Sequence, residues 1–153
     1  MPSWPWVRRI QRLYLGRILA RLGDGAEVSP GVVFEFPGRV SVGNNVFINR
    51  GVIITARADV TIGDDVMIGP YSVINSGNHV YEDSSIPIRE QGHRSSSIVI
   101  EPDVWIGAHA TILEGCVIER GAVIAAGSVV VRSVAPYTVV GGIPASKLKK
   151  RGH

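Results

Sequence analysis

Four histidines are the side chains of this sequence best suited to acid–base chemistry, because an imidazole has an ordinary pKa of about 6.5. His79 and His93 lie in a polar segment, residues 77–97, whereas His109 lies in an aliphatic region and His153 is the last residue. A histidine in a polar segment can act as a general base that takes a proton from a hydroxyl or an amine. The simpler alternative is a loop histidine without a chemical role.

The elements that position these histidines are indicated by a period of six residues. An aliphatic residue occupies every sixth position in three in-phase blocks: Val42, Ile48 and Ile54, then Ile62, Ile68 and Ile74, then Ile100, Ile106, Ile112, Ile118, Ile124 and Val130. Two residues earlier, most registers hold a second apolar residue: Val46, Val52, Val60, Val66, Val104, Ala110, Cys116 and Ala122. β-Branched residues at this spacing disfavour an α-helix. The pattern predicts short strands joined by tight corners and wound into a parallel β-helix, three hexapeptides to a coil.

Two phase breaks interrupt the repeat. Eight residues separate Ile54 from Ile62, which predicts a two-residue bulge at a corner near residues 56–58. Twenty-six residues separate Ile74 from Ile100, and the polar segment 77–97 lies between them. This segment is predicted to be a loop ejected from the coil. Long loops on a rigid scaffold commonly carry function.

The length predicts one domain, residues 1–153, and the repeat predicts that it is all-β. Apolar residues make up 45% of the sequence, which is sufficient for a packed core. We divide the chain into a helical cap (1–24), a β-helix (25–140) with its ejected loop (77–97), and a basic tail (141–153). No apolar run is long enough to span a membrane, and the first residues do not resemble a signal peptide. A single cysteine excludes an intrachain disulfide and favours a reducing compartment, so a cytoplasmic location is expected.

Charge is distributed unevenly. Residues 1–24 contain five arginines and one aspartate, whereas residues 25–146 contain 7 basic and 12 acidic residues. Four further basic residues lie in the tail. This pattern does not provide the continuous basic face that duplex nucleic acid requires, so nucleic acid is excluded as a partner. It does allow a phosphate-bearing ligand to bind at one end.

Residues 4–22 are predicted to form an amphipathic helix. Its apolar stripe is Val7, Ile10, Tyr14, Ile18 and Leu22. A helix of this kind can cover the exposed strand edges at the end of a β-helix. The alternative is peripheral contact with the inner face of the membrane, for which two early tryptophans, Trp4 and Trp6, are suited.

Several motifs resemble those of the hexapeptide-repeat acetyltransferases, and within them the maltose, galactoside and polysaccharide sugar O-acetyltransferases. The matching residues are Asp64–Pro70, the loop residue His79, Asp103–Ala108, Ala126–Val130 and Gly142–Ala145. The resemblance covers about residues 40–146. It departs from the family at Ala125, where a glycine is usual, and at Ser146, where a basic residue is usual.

The resemblance implies a left-handed coil, a homotrimer with active sites between subunits, and acetyl-CoA as donor. It implies that His79 is the catalytic base. Independently of the resemblance, Glu82, Asp83 or a nearby backbone carbonyl could orient the His79 ring. The resemblance also implies that Trp105 forms a wall of the site and that Asn49 helps to hold the acceptor. His93, later in the loop, is a further candidate for the acceptor pocket.

Coenzyme A requires a groove in which small residues allow close approach, with cations for its phosphates. The candidates are Trp105, Gly107, Ala108, Ala125, Ala126, Gly127, Ser128, Arg132, Pro144, Lys147 and Lys150. No metal site is expected, because the loop and coil histidines are 14 and 16 residues apart and the zinc-binding branch of this fold needs two of them close together. Cys116 occupies an inward position of the repeat and is predicted to be a core residue, not a nucleophile.

The function predicted from these residues is transfer of an acetyl group from acetyl-CoA to a hydroxyl of a saccharide-like acceptor. The reaction is expected to be direct, with backbone N–H groups near Trp105–Ala108 stabilising the oxyanion. One alternative is N-acetylation of an amino-sugar nucleotide or acetylation of an antibiotic. The other is a β-helix that serves as a scaffold without catalysis.

Overall fold

The computed structural model describes residues 5–152, which form one α-helix followed by a parallel β-helix. Helix α1 spans Pro5–Ile18, and strands β1 to β19 are two to six residues long. Trp4 and His153 lie outside the described residues. Such short strands follow from the six-residue period, because each strand must give way to a corner.

Three sheets form the sides of the coil. Sheet A contains β1 (Arg21–Leu22), β4 (Val40–Val42), β7 (Val60–Ile62), β12 (Ile98–Ile100) and β15 (Val117–Ile118). Sheet B contains β2 (Glu27–Val28), β5 (Phe47–Ile48), β8 (Met67–Ile68), β13 (Trp105–Ile106), β16 (Val123–Ile124), β18 (Thr138–Gly142) and β19 (Ala145–Lys150). Sheet C contains β3 (Val33–Glu35), β6 (Ile53–Thr55), β9 (Val73–Asn75), β14 (Thr111–Ile112) and β17 (Val129–Val130). A hairpin of β10 (Gly77–His79) and β11 (His93–Ser95) stands apart, and short 3-10 helices span Pro37–Arg39 and Ile88–Glu90.

The interior of the coil is filled by the periodic aliphatic residues, which stack in register. Ile62, for example, pairs with Val42 on one side and with Ile100 on the other. Each of the twelve sixth-position residues is at most 2% exposed. The predicted coil of hexapeptides is therefore confirmed, and Cys116 is buried within it.

The predicted apolar stripe packs on the first coil only in part: Ile18 and Leu22 do so, but the helix ends at Ile18 and Leu22 lies in strand β1. Leu15 and Leu19 are buried, whereas Ile10 and Tyr14 are about 60% exposed. Hydrogen bonds hold this orientation: the Arg12 guanidinium donates to the Gly23 carbonyl (3.1 Å) and the Asp24 carboxylate (2.7 Å), and the Gln11 amide donates to the Val28 carbonyl (3.0 Å). The prediction that Ile10 and Tyr14 face the coil is wrong. No described helix is both long and apolar enough to cross a membrane.

The basic C-terminal segment forms a strand. Strand β19 pairs antiparallel with β18, with Val140 opposite Lys147 and Thr138 opposite Lys150. Arg151, the residue after this strand, is also fixed, because its guanidinium contacts the Asp103 carboxylate at 2.8 Å. The lysines of this segment are consequently held on a β-hairpin at the end of the coil.

Candidate active site

The ejected loop begins and ends in the β10–β11 hairpin, which positions both loop histidines. Its register places Gly77 opposite Ser95, Asn78 opposite Arg94, and His79 opposite His93. Because alternate residues of a strand point to opposite faces, Gly77, His79, His93 and Ser95 share one face, here called the histidine face. Asn78 and Arg94 occupy the other.

That other face is anchored to the coil by Glu114. The Asn78 amide donates to Glu114 Oε1 at 3.3 Å, and Arg94 Nε lies 3.6 Å from the same oxygen. Arg94 also pairs with Glu82 of the loop. The Glu114 side chain is only 17% exposed, and its buried Oε2 has no hydrogen-bond partner among the described residues. Sequence reasoning missed Glu114, since nothing in its hexapeptide indicates that a hairpin will pack against it.

On the histidine face the two imidazoles are neighbours. The ring centroids of His79 and His93 are 4.3 Å apart, with the planes tilted by 42°. Partial desolvation, followed by the positive charges of Arg57 and His79, lowers the pKa of His93. This shift favours the neutral form of the His93 imidazole relative to an ordinary histidine.

Neither acid proposed to orient His79 is bonded to its ring among the described residues. Glu82 accepts hydrogen bonds from the Tyr81 N–H and from Arg94, and these contacts lower its pKa. Asp83 accepts from the hydroxyl and N–H of Ser85, which lower its pKa in the same way. Both carboxylates organise the loop, and the ring in contact with His79 is that of His93.

Trp105 and the small residues that follow it lie on sheet B and at its corner with sheet C. The Trp105 side chain is 51% exposed on the outer face of the sheet, in register with Met67 and Val123. Gly107 allows close packing of coils, because a Cβ there would lie 2.6 Å from the Ala126 nitrogen. Ala108 is half-buried, Ala125 is half-buried, and Ala126 and Gly127 are exposed. Ser128 differs, since its hydroxyl is buried and donates to the Ala125 carbonyl at 2.7 Å.

The backbone at this corner narrows the choice of oxyanion donor. The Trp105 N–H donates to the Ala122 carbonyl (3.0 Å) and the Gly107 N–H to the Ile124 carbonyl (2.8 Å). Both groups belong to the hydrogen-bonding of the coil and are not available to a substrate. The Ala108 N–H, which neither of these bonds uses, is the remaining candidate at this corner.

The predicted phosphate contacts converge at the end of the coil. Arg132, Lys147 and Lys150 line one cavity of about 600 Å³ together with Ala145. Pro144 is exposed beside this cavity in the turn between β18 and β19. Trp105 and Gly107 do not line it, so the coenzyme candidates form two groups.

The catalytic and acceptor candidates lie at different corners of the coil. Asn49 follows β5 at the corner between sheets B and C, where its Oδ1 accepts from the Arg50 N–H at 2.8 Å. His79 follows β9 at the corner between sheets C and A. Five residues of extended chain along one side of the coil separate these corners by about 15 Å. Within one chain, His79 therefore belongs to a different corner of the coil from Asn49 and Trp105.

Comparison with known proteins agrees with the fold. Residues 97–132 match the family model described as bacterial transferase hexapeptide (six repeats). A hexapeptide-repeat acetyltransferase of Vibrio cholerae, solved in complex with acetyl coenzyme A, superposes with a TM-score of 0.88 at 35% identity, covering 95% of this chain and 79% of that one. This chain belongs to the hexapeptide-repeat acetyltransferases. The predicted fold of this family, a left-handed parallel β-helix with an N-terminal helix and an ejected loop, is confirmed.

Two longer proteins are also similar to this chain in sequence. The galactoside O-acetyltransferase of Escherichia coli is 33% identical over 135 residues, which are 87% of this chain and 64% of the relative. A probable acetyltransferase of Mycobacterium tuberculosis is 33% identical over 114 residues, which are 74% of this chain and 38% of the relative. The chain thus spans less than two thirds of the length of these curated relatives.

Histidine and carboxylate positions give no sign of a metal centre within the described part of the chain. Between residues 5 and 152, no group of three or more His, Cys, Asp or Glu side chains could hold an ion. His109 stacks on Tyr71 at a centroid distance of 5.3 Å, away from the histidine face.

Proposed function

We propose that this protein transfers an acetyl group from acetyl-CoA to a hydroxyl of a sugar-containing acceptor. The observation that supports this most strongly is the position of His79. It is exposed on a hairpin that Glu114 ties to a rigid coil, beside a second imidazole. A general base needs this combination of access and fixed geometry. The sugar acceptor is suggested by the galactoside O-acetyltransferase relative.

In the proposed reaction, His79 accepts the proton of the acceptor hydroxyl as its oxygen attacks the thioester carbonyl. The Ala108 N–H donates to the oxygen on which negative charge develops. The protonated His79 then returns the proton to the departing thiolate, so the enzyme ends in its starting state. Cys116 takes no part, because burial and then the charge of Glu114 raise the pKa of its thiol.

The acceptor class is tested by release of free coenzyme A thiol in the presence of different acceptors. We expect sugars with free hydroxyls to support release. Selective activity with amino-sugar nucleotides would favour N-acetylation, and activity with chloramphenicol-like alcohols would favour an antibiotic acetyltransferase. A protein that releases no thiol with any acceptor, yet is folded, would instead favour a scaffold.

The coenzyme is proposed to run along the corner of Gly107, Ala108 and Ala126, beside Trp105, with its phosphates at the basic cavity. The side chains at that corner are small, and Ala126 and Gly127 are exposed, which suits a thin pantetheine chain. The fit at the phosphate end rests on three cations around one cavity, Arg132, Lys147 and Lys150.

We predict that Lys147→Gln and Lys150→Gln each raise the KM for acetyl-CoA by about tenfold, because each removes a charge-assisted contact. Turnover at saturation should change little, since neither lysine is placed at the reacting atoms. Point substitutions are preferable to deletion of the tail, because deletion would remove strand β19 from β18. Lys149→Gln is the matched control, since Lys149 does not line the cavity. An unchanged KM in both variants would exclude this phosphate site.

The active protein is proposed to be a homotrimer. His79 and Trp105 lie at different places on the coil, so a rotational copy is needed to complete each site. Phe47, Met67 and Trp105 also form an apolar column on sheet B, each at least 38% exposed, that a second copy would cover.

We predict that light scattering will give about three times the chain mass of 16.4 kDa. Met67→Glu should dissociate the assembly, because it would bury a charge in the interface. Glu27→Gln at the edge of the same sheet is not expected to do so. A monomeric wild-type protein at working concentration would refute the trimer.

Membrane contact through helix α1, and with it a location at the inner membrane face, stays a prediction.

A further inference from the structure

Arg57 covers the base of the histidine face. It lies at the corner between β6 and β7, and its side chain runs across Gly77 of the hairpin. A Cβ added to Gly77 would lie 2.4 Å from Arg57 Cδ and 2.9 Å from its Cγ. The absence of a side chain at Gly77 is therefore what admits the arginine. Because Gly77 and His79 point to the same side of β10, Arg57 and His79 lie on one face.

The guanidinium is held in place from the coil. Its Cζ lies 5.6 Å from the centroid of the Phe36 ring, a cation–π contact with the preceding coil. Arg39 donates to the Arg57 carbonyl, which adds a backbone restraint. Arg57 is half-buried, so little conformational entropy remains to be lost when it binds a ligand.

This cation lacks an acidic partner among the described residues. Arg94, on the opposite face, pairs with two carboxylates, Glu82 and Glu114. Arg57 forms no ion pair within residues 5–152. The neighbouring carboxylate of Glu35 accepts instead from the Thr55 hydroxyl at 2.9 Å. Desolvation and then the charge of Arg57 lower the pKa of His93, so the guanidinium lies close enough to act on the histidine face.

We propose that Arg57 is an anion subsite beside His79, so that the preferred acceptor is an acidic sugar with a carboxylate or phosphate near the acetylated hydroxyl. Arg57 lies over Gly77, and Gly77 is two strand residues from His79, a distance of about 6.6 Å. This distance is roughly the span of one sugar ring. The planar guanidinium matches both carboxylate and phosphate oxygens. This inference rests on the proposed acetyltransferase function for its substrate, but the subsite itself can be tested without turnover.

The kinetic test compares a neutral sugar with charged analogues: methyl glucoside, methyl glucuronide and glucose 6-phosphate. We expect kcat/KM to favour at least one charged acceptor by about tenfold or more, as a charge-assisted contact provides. Comparison of the uronate with the phosphate ester identifies which anion the subsite prefers. Arg57→Gln should bring the charged-to-neutral ratio close to one, and Arg57→Lys should retain part of it. Arg89→Gln is the control, because it removes the same charge from a side chain that is 85% exposed in the loop.

A binding test without acetyl-CoA separates this proposal from the proposed reaction. The imidazole proton resonances of His93 report on ligands at the histidine face. We expect saturable shifts with the charged sugars in the wild type and in Arg89→Gln, and none in Arg57→Gln of unchanged melting temperature. Binding of charged sugars without acetyl transfer would leave the subsite standing and reject the reaction. Equal binding of neutral and charged sugars, or unaltered shifts in Arg57→Gln, would overturn the subsite. If Arg57→Gln does not fold, the same binding comparison is made with Arg57→Lys. We expect this variant to discriminate less between charged and neutral sugars than the wild type does. Unchanged discrimination would overturn the subsite.

Discussion

Replacing His79 by alanine should lower turnover by about a hundredfold to ten-thousandfold, the range over which a general base contributes. A hydroxyl is a weak nucleophile at neutral pH, and the only described imidazole in contact with His79 is that of His93, which lies on the partner strand of the hairpin. Wild-type activity should also fall at low pH, because a protonated imidazole cannot accept the acceptor proton. The measurement is steady-state kinetics of both proteins as a function of pH.

The effect should be confined to the chemical step. Acetyl-CoA affinity, measured by calorimetry, should change little, because the proposed coenzyme residues lie at other corners of the coil. The melting temperature should also change little, since the His79 side chain is exposed. His109→Asn is the matched control, because asparagine tolerates the positive φ of 57° at this position. A folded His79→Ala protein that binds acetyl-CoA and retains more than about a tenth of the activity would reject general-base catalysis by His79.

Replacing Ile62 by alanine should lower the free energy of unfolding by about 2–5 kcal/mol. Ile62 is 2% exposed and stacks between Val42 and Ile100, in the layers on either side. Removing its side chain leaves a cavity that the parallel backbones cannot close, because the spacing of hydrogen-bonded strands is about 4.8 Å. Denaturant titration followed by circular dichroism measures the change.

The neighbouring residue of the same strand provides the comparison. Thr61 is exposed on the outer face of β7, so Thr61→Ala should change the free energy of unfolding by less than about 0.5 kcal/mol. A difference between the two variants is therefore a direct measure of the inward stack. Equal small losses would mean that the coil does not depend on this layer, contrary to the nearest-neighbour description of a repeat protein.

The chemistry of the site was only partly predictable from the sequence. His79 stands out because it follows the last in-phase aliphatic residue before the loop, and the family motif contains it. That His93 lies against it was not predictable, because residues 14 apart meet only through the register of the β10–β11 hairpin. The acids Glu82 and Asp83 are close to His79 in sequence, yet they bond to Arg94 and Ser85, which the loop brings nearer.

Arg57 and Glu114 illustrate a second limit of sequence reasoning. Both occupy corners of the repeat, where a charged residue is normally a solvated side chain. Each acquires its role because the hairpin leaves the coil between them and packs one face on each. The charge of a corner residue is visible in the sequence, but the element that covers it is not.

The sequence by itself determined which residues fill the coil, because a strand in a hexapeptide repeat must bury the same position in every turn. The twelve aliphatic residues at that position are all buried, whatever their surroundings along the chain. Tertiary structure decided how the irregular segments pack. In the N-terminal segment, Leu15 and Leu19 are buried instead of Ile10 and Tyr14, and contacts of Arg12 with the first coil accompany this packing. The lysine-rich segment could remain solvated, but the open edge of β18 offered hydrogen bonds that ordered it as β19. Periodic burial is encoded locally and repeatedly, whereas these choices depend on single contacts between surfaces that are distant in sequence.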